Sequence, residues 1–154
     1  MNDARRSPTV DELQTWRTFI EVAEELRSTM ARRLQEDSGL STGDYSVLLA
    51  LTEDAEHRMR SSDLAAHIGW ERSRLSHHLG RMEKRGMVAR EDCATDNRGA
   101  EIVLTPSGSD AFRRSTRPHL HAIREHFVDA LTPQQLAALG DAAQALQRGL
   151  ATAE

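Results

Sequence analysis

Residues 71–88 read Glu71-Arg72-Ser73-Arg74-Leu75-Ser76-His77-His78-Leu79-Gly80-Arg81-Met82-Glu83-Lys84-Arg85-Gly86-Met87-Val88. On a helical wheel at about 100° per residue, Leu75, Leu79 and Met82 share one side. Ser73, His77, Gly80 and Lys84 fall opposite, flanked by Arg74 and Arg81. One face is suited to burial; the other is polar, basic and small at its centre. Gly86 is placed to stop the helix in a left-handed conformation, so the pattern predicts a helix over about 71–85. Beyond it the period changes to two. Residues 87–93 and 101–104 read as short antiparallel strands, with Asp96-Asn97-Arg98-Gly99 in the turn between them.

Working outward, a short helix starts at Ser61 or Ser62, buries Leu64, Ala65 and Ile68, and stops at Gly69. His67 and His78 lean toward the buried sides of their helices as packing residues. Residues 53–60 are polar and read as a connection. Before them Leu40-Ser41 opens a helix with Ser41 as cap, Asp44 as its capping-box partner and Leu40 and Tyr45 placed to staple across the cap. Its core face is Tyr45, Leu48 and Leu51. Leu13, Trp16, Ile20, Ala23, Leu26, Met30 and Leu34 recur every three or four positions, which predicts one amphipathic helix over 11–36. On the other side Thr105-Pro106 starts a fifth helix, carrying Phe112, Leu120, Ile123 and Phe127 and kinked at Pro118. Thr132-Pro133-Gln134-Gln135 starts a sixth, in which Leu136, Leu139, Ala143, Leu146 and Leu150 form a seam seeking another helix. The fold class is mainly α with a small β-hairpin wing, a winged helix-turn-helix between long outer helices.

Composition narrows the function. The chain has 154 residues, 20 Lys+Arg against 24 Asp+Glu, and one cysteine. That length suits one domain, or one small domain with helical extensions, and excludes a barrel-sized enzyme core. No apolar run approaches the roughly 18 residues of a membrane span. No signal-peptide pattern opens the sequence, and a lone cysteine makes no intramolecular disulfide, so a reducing cytoplasm is expected. The net charge of −4 hides an asymmetry. Residues 57–90 carry eight basic side chains against three acidic ones, a local excess of five positive charges inside an acidic protein. Such an island is the electrostatic footprint of a nucleic-acid contact.

A helix with the outward face of 71–85 fits a DNA major groove, its first turns reaching base edges while its flanks meet phosphates. Arg98 at the hairpin tip suits a narrow minor groove, with Asp96 placed to hold its guanidinium. The set expected to face DNA is Ser62, Arg72, Ser73, Arg74, Ser76, His77, Arg81, Lys84, Arg90, Asp96 and Arg98.

The ordered run Ser62-Asp63-Leu64-Ala65, Leu75, Leu79-Gly80-Arg81-Met82-Glu83-Lys84-Arg85-Gly86-Met87-Val88, Asp96-Asn97-Arg98-Gly99 and Leu104-Thr105-Pro106-Ser107-Gly108 resembles the multiple-antibiotic-resistance regulator (MarR) family. Similarity in type and order extends from about Leu13 to Leu150. The resemblance implies a homodimer joined through an N-terminal helix over 1–36 and C-terminal helices over 105–154. It also implies a DNA-binding domain over 40–104 that reads a pseudo-palindromic double-stranded operator to regulate transcription, with release by a small phenolic or other aromatic effector. An architectural, ligand-independent DNA-binding dimer is the alternative. By the same resemblance Ser73, Arg74, Ser76 and His77 match the base-reading part of the recognition helix, and Arg98 and Asp96 match the wing arginine and its acidic companion. Two positions depart from the family pattern: His77 stands where many members have Arg, and Trp70 where a small polar residue commonly caps the recognition helix.

The remaining candidates weigh less. Trp16, Phe19 and Tyr45, with Arg17 as a carboxylate partner, are the residues for a small-molecule pocket, although aromatics at helical spacing more often pack a core. His121 and Glu125 at i,i+4 lack a second strong pair, so no metal or cofactor is expected. Cys93 reads as a silent thiol. No nucleophile-base spacing, phosphate-cradling loop or carboxylate pair supports an enzyme.

Overall fold

The computed structural model describes residues 7–92 and 100–152. The chain separates into two compact units, Ala31–His121 and the pairing of Met1–Met30 with Ala122–Glu154. Helix α1 (Val10–Ser38) is followed by α2 (Thr42–Glu53), strand β1 (Arg58–Arg60), α3 (Ser61–His67) and α4 (Arg72–Lys84). Strands β2 (Val88–Asp92) and β3 (Ala100–Leu104) come next. Then come α5 (Pro106–Ile123), a π-helical turn (Arg124–Val128) and α6 (Pro133–Ala151).

Within Ala31–His121, α2 begins where the sequence places it. Ser41 Oγ accepts from the Asp44 amide at 3.1 Å and Asp44 Oδ2 accepts from the Ser41 amide at 3.0 Å, a reciprocal capping box. A cap of this kind contributes about 1 kcal/mol. Leu48 and Leu51 of α2, Leu64 of α3, Leu75, Leu79 and Met82 of α4 and Ile102 of β3 are fully buried and form one core. The leucines and Met82 are among the residues that the helical period places inward, whereas Tyr45 and Ile68, expected in the same core, are half-buried at its edge. Gly86 closes α4 at φ +73°, as expected.

Two expectations fail here. Residues 58–60 are not connection but a third strand. The sheet order is β1-β3-β2, all antiparallel, with Arg58 opposite Val103 and Val88 opposite Leu104. Three residues are too few for alternation to show in the sequence. What holds this edge is electrostatic: Glu91 and Glu101 lie directly opposite each other, and Arg58 Nη1 reaches both, at 3.4 and 3.2 Å. Like charges facing across strands repel, so the arginine offsets the repulsion as it pairs. His67 is exposed rather than packed, because α3 is only seven residues long and its buried side is filled by Leu64 and Ala65.

Helix α5 stays continuous through Pro118, and the irregularity comes later, as the π turn at Arg124–Val128. Its start is tied to the end of α4. Thr105 donates to the Gly86 carbonyl at 2.6 Å and accepts from the Gly108 amide at 3.0 Å. A Cβ on Gly108 would lie 2.0 Å from the Met87 carbonyl oxygen, so only glycine lets α5 start this close to β2.

In the other unit, α6 opens with the expected box: Gln135 and Thr132 exchange bonds of 3.2 and 2.9 Å. The apolar stripe of α1 is only partly covered. Ile20, Ala23, Leu26 and Met30 are half-buried, but Trp16 is 60% exposed, with Leu13, Phe19 and Val22 also exposed. On α6, Leu136 and Leu139 are half-buried while Leu146 is 56% and Leu150 73% exposed. Val22, Leu26, Phe127, Leu131 and Leu139 line an open cavity of about 330 Å³ in this unit. No helix among the described residues is long and apolar enough to cross a membrane.

Gly108→Ala should cost about 1–3 kcal/mol through overpacking against the Met87 carbonyl. Gly80→Ala, whose added Cβ meets nothing within 4 Å, should gain about 0.5–1 kcal/mol by favouring the helix. Urea midpoints of the two variants check both signs.

Candidate nucleic-acid interface

Helices α3 and α4 and the turn between them form the helix-turn-helix. Leu64 and Ala65 of α3 and Leu75, His78, Leu79 and Met82 of α4 point inward. Arg72, Ser73, Arg74, Ser76, His77, Arg81 and Lys84 are all exposed on α4, so one helix face gathers seven of the residues read from sequence. Ser62 is half-buried on α3, with its hydroxyl donating to Asp63 at 3.2 Å. The N-cap of α4 is Glu71, one residue later than Trp70, and its side chain makes no capping bond.

The basic island divides when its partners are traced. Arg58 is bound to Glu91 and Glu101. Arg90 donates to the Ser76 carbonyl at 2.8 Å and pairs with Glu83 at 3.7 Å, fastening β2 to α4. Arg85 gives one bond of 2.7 Å to Asp44 and another of 3.0 Å to the Gly39 carbonyl. These arginines hold the scaffold together. Arg72, Arg74, Arg81 and Lys84 remain on the exposed face of α4, near the polar centre made by Ser73, Ser76, His77 and Gly80.

Asp44 positions this face, and sequence reading credited it only as a cap. It is 3% exposed, accepts from Ser41 and Arg85, and lies 3.0 Å from Nε2 of His78, itself a buried residue. The Nε2 contact is out of line for a full hydrogen bond. At the other ring nitrogen, Arg81 Nη2 stands 3.0 Å from Nδ1. A guanidinium only donates, so Nδ1 accepts and the neutral ring carries its proton on Nε2, toward the carboxylate. Burial would raise the Asp44 carboxyl, but the Ser41 bonds and the Arg85 bond and charge outweigh it and lower its pKa. Burial, and with it the charges of Arg81 and Arg74, lowers the pKa of His78 against the upward pull of Asp44. The signal available in sequence was Arg85, a cation at the end of a basic helix; its partner lies 41 positions away.

The other candidates fall in both units. Trp16, Arg17 and Phe19 are exposed on the N-terminal part of α1. Tyr45, in the other unit, packs on Phe112 and His119 with ring centroids 5.2 and 4.5 Å away. Burial lowers the pKa of His119. Asp96, Arg98 and Cys93 lie outside the described residues. Among the described residues no group of three His, Cys, Asp or Glu side chains comes together as a metal site.

Residues 38–99 match a family model described as MarR family. Over nearly its whole length the chain is similar to two solved structures of MarR family regulators from Streptomyces coelicolor. Sco3205, solved in complex with DNA, is 40% identical with a TM-score of 0.89, covering 97% of this chain and 93% of that one. AbsC is 38% identical with a TM-score of 0.87, covering 96% and 99%. Among curated proteins, the HTH-type transcriptional repressor YetL of Bacillus subtilis is 26% identical over 106 residues. That match takes in 67% of this chain and 64% of YetL, so the chain spans less than two-thirds of this relative.

The pH dependence of stability follows from two windows. His78, lowered in the folded state, contributes fully above its ordinary value of 6.5 and loses that contribution as pH falls below it. Asp44, also lowered, contributes above its ordinary value of 3.8 and loses it as pH falls through the folded value. Urea midpoints should therefore drop in two steps on acidification. His78→Asn should shrink the upper step, leaving the part owed to His119, and spare the lower one.

Proposed function

The chain belongs to the MarR family of transcriptional regulators, and from that premise we propose that it binds double-stranded DNA sequence-specifically as a homodimer in the cytoplasm. The observation that carries this is the exposed face of α4. Seven polar or basic side chains stand on a helix whose opposite side is fully buried, and Arg85 and Arg90 fasten that helix at its end and its flank. The likeness to Sco3205, itself solved in complex with DNA, supports DNA as the partner. Arg74 and His77 would meet base edges in the major groove, and Arg72, Arg81 and Lys84 the flanking phosphates.

The homodimer accounts for the apolar residues that the single chain leaves open, Leu13, Trp16, Phe19 and Val22 on α1 and Leu146 and Leu150 on α6. Exposed patches of this kind mark an association surface. Two copies would present two α4 helices to half-sites about one helical turn apart, roughly 34–36 Å. Occupying such a site near a promoter blocks transcription sterically, and a small aromatic or phenolic effector would release the block. In this account the chain binds and releases DNA and catalyses no reaction.

Selection from a random duplex pool, followed by anisotropy across a salt series, tests this. A palindrome with half-sites one turn apart is expected. Arg74→Ala should then cost about 1–3 kcal/mol of specific affinity, and Lys84→Gln should weaken all duplexes alike while reducing the salt slope by about one. Enrichment of no sequence would favour an architectural role, and complexes indifferent to aromatic acids would favour ligand-independent binding.

A further inference from the structure

Trp70 stands where a small polar residue is expected before a recognition helix, and its surroundings explain what an indole does there. The Arg74 guanidinium carbon lies 4.0 Å from the Trp70 ring centroid. The ring meets His78 edge-on, with centroids 5.2 Å apart and planes at 90°. From α2, Gly43 comes so close that a Cβ would sit 2.7 Å from Trp70 Cη2 and 2.8 Å from His78 Cε1. The Trp70 amide is bound to the Ala65 carbonyl at 2.9 Å. The backbone of Trp70 is thus held from α3 and its indole from α2 and α4, and Arg74 lies over the ring. Arg74 forms no ion pair with any described residue, unlike Arg58, Arg85 and Arg90.

A guanidinium has two separate ways to bind. Its face stacks on aromatic rings, whereas its five N–H donors lie in its plane and point outward from its edge. Stacking on Trp70 therefore leaves the edge free for two parallel hydrogen bonds, the arrangement that recognises guanine O6 and N7. An arginine in the first turn of an exposed helix otherwise samples many rotamers, and ordering it opposes binding. Tryptophan is the strongest of the aromatic cation partners.

We propose that Trp70 is a specificity-determining positioning residue, a platform that holds the Arg74 guanidinium flat and presents its edge to a base pair. The proposal rests on the DNA-binding reading above.

The test measures affinity of the full-length protein for the selected duplex and for duplexes changed at each half-site base pair. The variants are Trp70→Phe, Trp70→Leu, Arg74→Ala and the double variant Trp70→Leu/Arg74→Ala, each checked for folding by its urea midpoint. Trp70→Leu should lower discrimination about three- to tenfold at the base pair where Arg74→Ala lowers it, with the salt slope unchanged. Trp70→Phe, which keeps an aromatic face, should retain more than half of the discrimination. In the Arg74→Ala background, Trp70→Leu should change nothing further. Equal weakening on every duplex, or the same loss with and without Arg74, would show a merely structural residue and overturn the proposal. Stronger binding by Trp70→Leu would overturn it too, since Trp70 would then sequester the arginine. A wild-type chain that binds no duplex would overturn the DNA-binding reading together with this proposal; a wild type that discriminates while Trp70 and Arg74 stay uncoupled would overturn this proposal alone.

Discussion

The carboxylate of Asp44, almost fully removed from water, is the constraint around which the Ala31–His121 unit is arranged. Burying an ion costs several kcal/mol and is repaid only when its lone pairs are met by well-placed donors. Here the donors are the Ser41 amide at the start of α2 and the Arg85 guanidinium just past the end of α4, with His78 beside them in the middle of α4. A carboxylate chosen for a helix cap thereby also fixes where a second helix lies. Removing one partner would leave the charge buried and unpaired, which in general costs about 3–5 kcal/mol. The neighbouring contacts work in the same direction. Gly43 lets His78 and Trp70 come against α2 without a Cβ between them, and Arg81 sets which nitrogen of His78 carries the proton.

The basic island consequently serves two purposes with one residue type. Arg58, Arg85 and Arg90 join strands, turns and helices through carboxylates and carbonyls. Arg72, Arg74, Arg81 and Lys84 stand on the outer face of α4. Charge counted along a sequence cannot separate the two groups, because the acidic partners Asp44, Glu91 and Glu101 lie in other elements. In the proposed reading, Arg72, Arg74, Arg81 and Lys84 are the side chains that release counterions from DNA and set the salt dependence of binding.

Local chemistry was readable residue by residue. The period of Leu75, Leu79 and Met82 placed α4, the pairs Ser41/Asp44 and Thr132/Gln135 placed the starts of α2 and α6, and Gly86 placed the end of α4. The outward face of α4 came from the same wheel. What escaped depends on partners distant in sequence or on lengths too short to carry a period. Strand β1 is three residues long, and its arginine answers glutamates more than thirty positions away. The Asp44–Arg85–His78 group spans two helices, and the Trp70 platform was visible only as a departure from a family pattern. The seam of α6 was legible as an apolar stripe, and Leu146 and Leu150 stand exposed on it; the homodimer proposed above would cover them.

The most direct test of the central claim, that the outer face of α4 is the DNA-reading surface, is amide chemical-shift mapping of the isotope-labelled protein on titration with its selected duplex. The account predicts the largest changes along residues 72–80 and little change along 143–151 of α6. Changes concentrated on α6 or on the exposed stripe of α1, with α4 left unperturbed, would contradict it.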